Sequence, residues 1–309
     1  MSKKIVVIGS SNVDFIMKMP RLPKVGESVP NGKFMQTYGG KGANQAVGAA
    51  KAGGEVWLIN CVGDDNYGPL VVENLRKGGV HTDFVTSMPG YTSGAAIVLV
   101  GEEGQNYLSI DPGANYALTP EMLIPHKEFI SDAAMMVLQY EVIPETLYTS
   151  IAMAKEMGIP VIFNFAPAAE MDVSYLEGLD YLVVNETEAE FVCGFAVEDE
   201  AGVIKASQKL LTLGVKTVIV TLGAKGAFVA GNGWSTIVPS FKVEAVDTTA
   251  AGDTFCGTLA TALVEGKALL EAVRFANAAA AVCVTRLGAQ PSIPTRAQIE
   301  AMLESQSHP

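Results

Sequence analysis

Histidine is scarce in this chain: His81, His126 and His308 are the three in 309 residues. They are too few and too dispersed for a catalytic triad or a histidine metal cluster. Cysteine is sparse as well. Cys61, Cys193, Cys256 and Cys283 lie far apart with no CxxC pair. That excludes a disulfide framework and a zinc site, and it suits buried thiols of a cytoplasmic protein. Positive charge is also short, with 21 Lys and Arg against 33 Asp and Glu and a net charge of −12. Such a surface repels phosphodiesters and anionic lipids, so neither nucleic acid nor membrane is the expected partner. A small anionic substrate needs only a local positive site. No apolar run approaches the ~20 residues of a membrane span. The opening MSKKIVVIGSSNVDF has a short apolar run and reads as a first strand, not a signal peptide.

What is present is a foldable interior: 49% hydrophobic residues against 17% charged, in a chain long enough to bury a sizeable core. Apolar, β-branched runs recur at Ile5–Ile8, Val56–Ile59, Met135–Leu138, Val161–Phe165, Leu182–Val184 and Val218–Val220. Helix-like stretches lie between them, at Gly42–Ala52, Pro69–Lys77, Glu145–Met157 and Gly202–Leu213. Continuous apolar strands alternating with helices imply a parallel sheet covered on both faces, a three-layer α/β/α doubly wound fold. Phe15–Tyr38, rich in Pro, Gly and polar residues, breaks the rhythm. So does Ser93–Ile110, which reads as a hairpin, AAIVLV and QNYLSI about a turn at GEEG. The two are expected to form a small antiparallel β lid, or else two surface excursions. The last third reads as helices over Gly252–Glu265, Ala268–Thr285 and Arg296–Glu304. No repeat or linker divides the chain, so residues 1–309 are expected to form a single domain.

Five stretches carry candidate chemistry. After the first strand comes GSSNVD, Gly9–Asp14. It lacks GxGxxG, and Pro20 and Pro23 oppose a following helix, so it is not a dinucleotide turn. Asn12 and Asp14 at the strand's carboxyl end could grip adjacent hydroxyls of a polyol, or simply stabilise an Asx turn. GGKGANQA, Gly39–Ala46, lacks Walker A spacing; it is a glycine-rich strand-to-helix turn in which Lys41 offers charge and Asn44 an amide. Asn185–Glu188, after YLVV, suits either a cation or a helix cap. TLGAKGA, Thr221–Ala227, lets backbone approach a ligand or turns a hairpin. VDTTAAGDTF, Val246–Phe255, is the strongest. Small residues Ala250, Ala251 and Gly252 leave N–H groups accessible at a helix start, which attracts an anion. Asp253 beside that anion site is a cap or, with a hydroxyl placed between, a base in phosphoryl transfer.

Together these stretches resemble the ribokinase-type (phosphofructokinase-B) sugar kinase family, essentially over the whole chain. GGKGANQA and DTTAAGDTF match the family's two signatures in order and spacing, and NETEAE, TLGAKG and TRLGAQPS fall at its nucleotide and cation elements. The resemblance implies ATP-dependent phosphorylation of the 5-hydroxyl of D-ribose. Asp253 would be the base, and the backbone of Ala250, Ala251 and Gly252 the anion hole. Asn12, Asp14, Gly40, Lys41, Gly42, Asn44 and Glu141 would bind the sugar. Asn185, Thr221, Gly223, Gly226, Gly252 and Asn277 would contact ATP, with Asn185 and Glu188 near Mg2+. Asp247, Thr249, Cys283, Arg286, Gly288 and Ser292 would surround K+, four of them (Thr249, Cys283, Arg286, Gly288) through main-chain carbonyls. The lid would make a homodimer interface. Ala250, where relatives often have glycine, fits if its φ is negative. Phe165, Cys256 and Asn277 also depart from the family pattern and bear on sugar and adenine recognition. Another sugar of the same kind (deoxyribose, another pentose, a fructose) and a non-catalytic sugar sensor are the alternatives.

Overall fold

The computed structural model describes residues 3–102 and 106–306. In chain order the first strands are β1 (Lys4–Ile8), β2 (Asn12–Met19) and β3 (Lys33–Gly39), followed by helix α1 (Lys41–Lys51). Then come β4 (Glu55–Gly63), α2 (Gly68–Lys77), β5 (Val85–Met88), β6 (Gly94–Gly101), β7 (Asn106–Asp111), α3 (Lys127–Ser131) and β8 (Met135–Gln139). The second half runs α4 (Pro144–Met157), β9 (Val161–Asn164), β10 (Tyr181–Asn185), α5 (Glu186–Cys193), α6 (Glu200–Thr212) and β11 (Thr217–Thr221). It closes with β12 (Ala227–Gly231), β13 (Trp234–Val238), α7 (Ala251–Val264), α8 (Leu269–Cys283) and α9 (Arg296–Ser305).

Nine strands form one sheet in the order β13-β12-β11-β10-β9-β8-β1-β4-β5. From β11 to β5 every ladder is parallel, and β12 and β13 add an antiparallel edge. On β1, Ile5 and Val7 enter one apolar cluster with α1, α7 and α8, while Val6 and Ile8 enter another with α4, α5 and α6. Alternate side chains of one buried strand thus feed two cores, which is why these strands read as continuous apolar runs. The apolar-run reading does not find the edge strands β5 and β13, nor β12 beside β13.

Strand order reverses at β1, which has β4 on one side and β8 on the other. The crevice beyond the carboxyl ends of strands at such a switch is where open α/β sheets bind ligands. Everything described below converges there.

A second, four-stranded sheet, β3-β2-β6-β7, stands beside this crevice. It realises the expected lid. Its outer ladders are antiparallel, and its central β2–β6 pair is parallel. Two of the four residues of the turn expected at GEEG, 103 and 104, lie outside the described residues, as does His308. In β2 the two-residue period places Asn12 and Asp14 on one face. Among the described residues, no helix is long and apolar enough to cross a membrane.

Candidate active site

The site starts with a close approach of helices α1 and α7. A Cβ on Gly257 would lie 2.2 Å from the Gln45 carbonyl oxygen, so only glycine lets the helices come this near. The first turn of α7 therefore faces the first turn of α1. Asn44 Nδ2 donates to Asp253 Oδ2 at 2.9 Å, and Gln45 Nε2 donates to Asp253 Oδ1 at 3.0 Å. Asp253 is buried at 7% exposure. Both its oxygens are held before any substrate arrives.

At the other end of the turn, Gly40 has φ 85°, and a Cβ there would sit 2.6 Å from Ser11 Cα. Glycine is required by conformation and by space. Glu141, just past β8, accepts from the Lys41 N–H at 2.9 Å and from the Ser10 hydroxyl. Its carboxylate meets the positive end of α1, which the helix dipole favours. Asn12 accepts from Asn115 Nδ2 at 2.8 Å, and Asn115 and Asn60 tie the Ser11 backbone and hydroxyl into one buried network.

Charge is concentrated here. Burial, then the Glu141 and Asp253 carboxylates, lift the Asp14 carboxyl from 3.8 to about 7. Burial works against the Lys41 ammonium, but Asp253, Glu141 and Glu188 outweigh it and hold its pKa above the usual value. Burial raises Glu188, while the Asn185 N–H and Lys41 oppose it. Lys41 is thus the cation shared by several carboxylates.

Asn185 and Glu188 form a reciprocal capping box at the start of α5, with bonds of 2.8 and 2.9 Å. They also line a polar pocket of about 200 Å³ with Lys41, Asn164 and Asp253. That pocket shares Thr221, Thr248, Ala251 and Gly252 with an apolar cleft of about 470 Å³. Phe241, Val243, Phe255 and Ala280 line the cleft's apolar side; Gly223 and Gly226 come from the turn between β11 and β12. Asn277 lines it too and donates to the Val238 carbonyl at 2.9 Å. A polar pocket and a cleft suited to a flat apolar group therefore meet at the N-terminus of α7.

At the start of α7 the structure corrects one expectation. Ala250 is left-handed, with φ 60° and ψ 12°, not at negative φ. The turn that presents the helix N-terminus demands this conformation, and alanine adopts it at a cost of ~1–2 kcal/mol. Replacing Ala250 with Gly should raise stability by about 0.5–1 kcal/mol, after the extra unfolded-state entropy of glycine. A thermal melt should show a Tm higher by ~1–3 °C; an unchanged or lower Tm would contradict the strain. The Ala251 N–H is engaged by the Thr248 carbonyl at 3.2 Å, and Thr254 N–H makes the first intrahelical bond, to Ala250 at 2.8 Å. The helix's first turn leaves the Gly252 and Asp253 N–H groups for an anion. A Cβ on Gly252 would meet nothing within 4 Å, so this backbone faces open space.

Three facts place the cation candidates. Asp247 Oδ1 accepts from the Thr249 N–H and hydroxyl at 2.9 and 2.6 Å, and Oδ2 accepts from the Gly288 N–H at 2.9 Å. Burial alone would raise the Asp247 pKa; these donors win and lower it. The 247–249 and 286–288 loops are thus brought together. Cys283 and Ser292 meet side chain to side chain at 3.0 Å, while the Arg286 guanidinium turns to Gln298. Among the described residues no group of three His, Cys, Asp or Glu could hold a metal.

The sequence profile of the pfkB family carbohydrate kinases matches residues 2–296. The chain belongs to that family. The ribokinase of Haemophilus influenzae is 39% identical to this carbohydrate kinase over 305 residues, covering 98% of this chain and 99% of the relative. The deoxyribokinase of Salmonella typhi is also 39% identical, over 97% of this chain and 98% of its own. The structure of Arabidopsis thaliana ribokinase complexed with ribose and ATP superposes with a TM-score of 0.92 at 35% identity, covering 98% of this kinase and 99% of that chain.

Motif reading of the kinase misses Gln45, Gln139, Ser10, Asn60 and Asn115. A signal existed for two of them: Gln45 sits inside GGKGANQA on a buried helix face, and Gln139 ends an apolar strand.

Proposed function

We propose that the chain transfers the terminal phosphoryl group of ATP to the 5-hydroxyl of D-ribose. One observation carries the reading: buried Asp253 stands at the N-terminus of α7, where the polar pocket meets the apolar cleft. A hydroxyl between Asp253 and the helix start would lose its proton to Asp253 as its oxygen bonds to phosphorus. The bond from phosphorus to the ADP oxygen breaks, and its electron pair leaves with ADP. Of the expected 250–252 anion hole, the Ala251 N–H is taken by the Thr248 carbonyl, so the Gly252 and Asp253 N–H groups with the helix dipole would stabilise the charge on the phosphoryl oxygens.

Asn12, Asp14, Gly40, Lys41, Gly42, Asn44 and Glu141 would hold the sugar beneath the lid. Thr221, Gly223, Gly226, Gly252 and Asn277 would hold the nucleotide, with Asn185 and Glu188 beside its Mg2+. When bound, Mg2+ and K+ supply positive charge against the phosphates and the neighbouring loop. Asp247, Thr249, Cys283, Arg286, Gly288 and Ser292 would hold K+, joining 247–249 to the catalytic turn. Exposed Phe34, Ile97 and Tyr107 on one face of the lid would supply apolar surface for a homodimer. The whole chain would act as one domain in the cytoplasm, in keeping with four free, buried cysteines.

The equal identity to a ribokinase and a deoxyribokinase makes 2-deoxyribose the second reading. A panel of ribose, 2-deoxyribose and fructose, assayed by ADP release, separates them. Ribose should give the highest kcat/KM; a preference for either other sugar overturns the ribose assignment.

A further inference from the structure

The hydrogen bonds on Asp253 do not end at α1. Gln45 Nε2 donates both to Asp253 Oδ1 and to Asn164 Oδ1, each at 3.0 Å. Gln45 Oε1 in turn accepts from Gln139 Nε2 at 2.7 Å. Asn164 Nδ2 donates to the Val183 backbone carbonyl at 3.3 Å. Gln45 and Gln139 are fully buried, and Asn164 nearly so.

These bonds have a direction. A main-chain carbonyl can only accept, so Val183 settles which way the Asn164 amide points. Asn164 then turns its oxygen to Gln45. Gln45 faces two oxygens, from Asn164 and Asp253, and must present its NH2 to both. Its own oxygen is left for Gln139, which must present NH2 as well. Gln139 Oε1 is buried with no hydrogen-bond partner. Gln139 therefore sits with its nitrogen on Gln45 and its oxygen unpaired, because the reverse would set two oxygens face to face.

The geometry points to Gln45 and Gln139 as positioning residues: a one-way amide relay, anchored at the Val183 carbonyl, aims the Asp253 carboxylate. This rests on the reading of Asp253 as base. Neither glutamine reaches the reacting atoms; both act through Asp253. Held from both sides, by Asn44 and Gln45, the group keeps one rotamer against the helix N-terminus, and orientation at this level controls rate steeply.

The test uses the full-length protein with ribose and ATP, at saturation, across the pH range of activity. Gln45→Met keeps the side-chain length and removes both donated bonds. Its kcat should fall about 10²-fold, with the sugar KM within about threefold. A kcat within threefold of the parent, or a sugar KM that rises as much as kcat falls, overturns the relay. Gln139→Glu covers the case in which that variant does not fold. While protonated, the introduced carboxyl can still donate to Gln45. Once ionised, it draws the Gln45 NH2 toward itself and turns an oxygen toward Asp253. The activity of this variant relative to the parent should therefore drop as pH rises, and a flat ratio overturns the relay. Asp253→Asn run alongside separates the two ideas. If that variant keeps activity, the base reading fails; if it is inactive while Gln45→Met is parent-like, only the relay fails.

Discussion

Replacing Asp253 with Asn lowers kcat by about 10³-fold, within the span that a positioned base contributes. The variant keeps shape and position, so a rate loss of this size measures the carboxylate. It has a second consequence, visible only in the structure. Both carboxylate oxygens accept amide N–H groups, from Asn44 and Gln45. Asparagine offers one oxygen and one NH2, so in either orientation a donor meets a donor. One amide must flip or lose its bond, at a cost of about 1–3 kcal/mol. The thermal midpoint should fall by several degrees. Assays well below that midpoint keep the two effects apart. Activity within tenfold of the parent would sink the assignment of the base.

The second large effect is expected at Lys41. Changing it to Met should lower kcat/KM at least about 10²-fold, as removal of one electrostatic contact in a dry site commonly does. It should also give the protein a new dependence of stability on pH. The Lys41 ammonium is the counter-charge to Asp253, Glu141 and Glu188. Without it Glu188, which burial already raises and Lys41 holds down, keeps its proton to higher pH than it does in the unfolded chain. The folded state then binds more protons than the unfolded state, so stability falls as pH rises. Asp14 already shows the sign in the parent: with a pKa of about 7 against 3.8, its contribution is full below pH 4 and is lost as pH climbs to 7. In the variant the loss should be steeper. Melts at pH 5 and pH 8 check this: the difference in Tm between the two should be larger for Lys41→Met than for the parent. Equal differences would show that Lys41 does not balance these groups.

Much of this site is legible in the sequence because the carriers are local. GGKGANQA and DTTAAGDTF each span one turn and the start of one helix, so their geometry is nearly contained in their own residues. The same holds for the Asn185–Glu188 capping box, whose reciprocal bonds close over three residues. The buried parallel strands are equally plain, since a strand packed on both faces must be apolar throughout. β12 and β13 are not: AFVAG is buried but follows directly on the glycine-rich TLGAKG turn, and WSTIV at the sheet edge is mostly exposed. Ala250 shows the opposite limit. Its residue type argues for negative φ, and the need to swing the chain into α7 overrides that preference.

By itself the sequence determined the layered α/β fold, the family and the short segments that carry the chemistry. Those follow from apolar periodicity and from motifs whose spacing is set along the chain. Tertiary structure alone decided that Gln45, Gln139 and Asn164 meet behind Asp253, that Lys41 serves several carboxylates, and that the polar pocket meets the apolar cleft at one helix start. These are contacts between residues about a hundred or more positions apart, such as Gln45 with Asn164 and Asp253. They exist because strand order reverses at β1 and glycine lets α1 and α7 approach closely, and neither is a property of any one stretch of sequence.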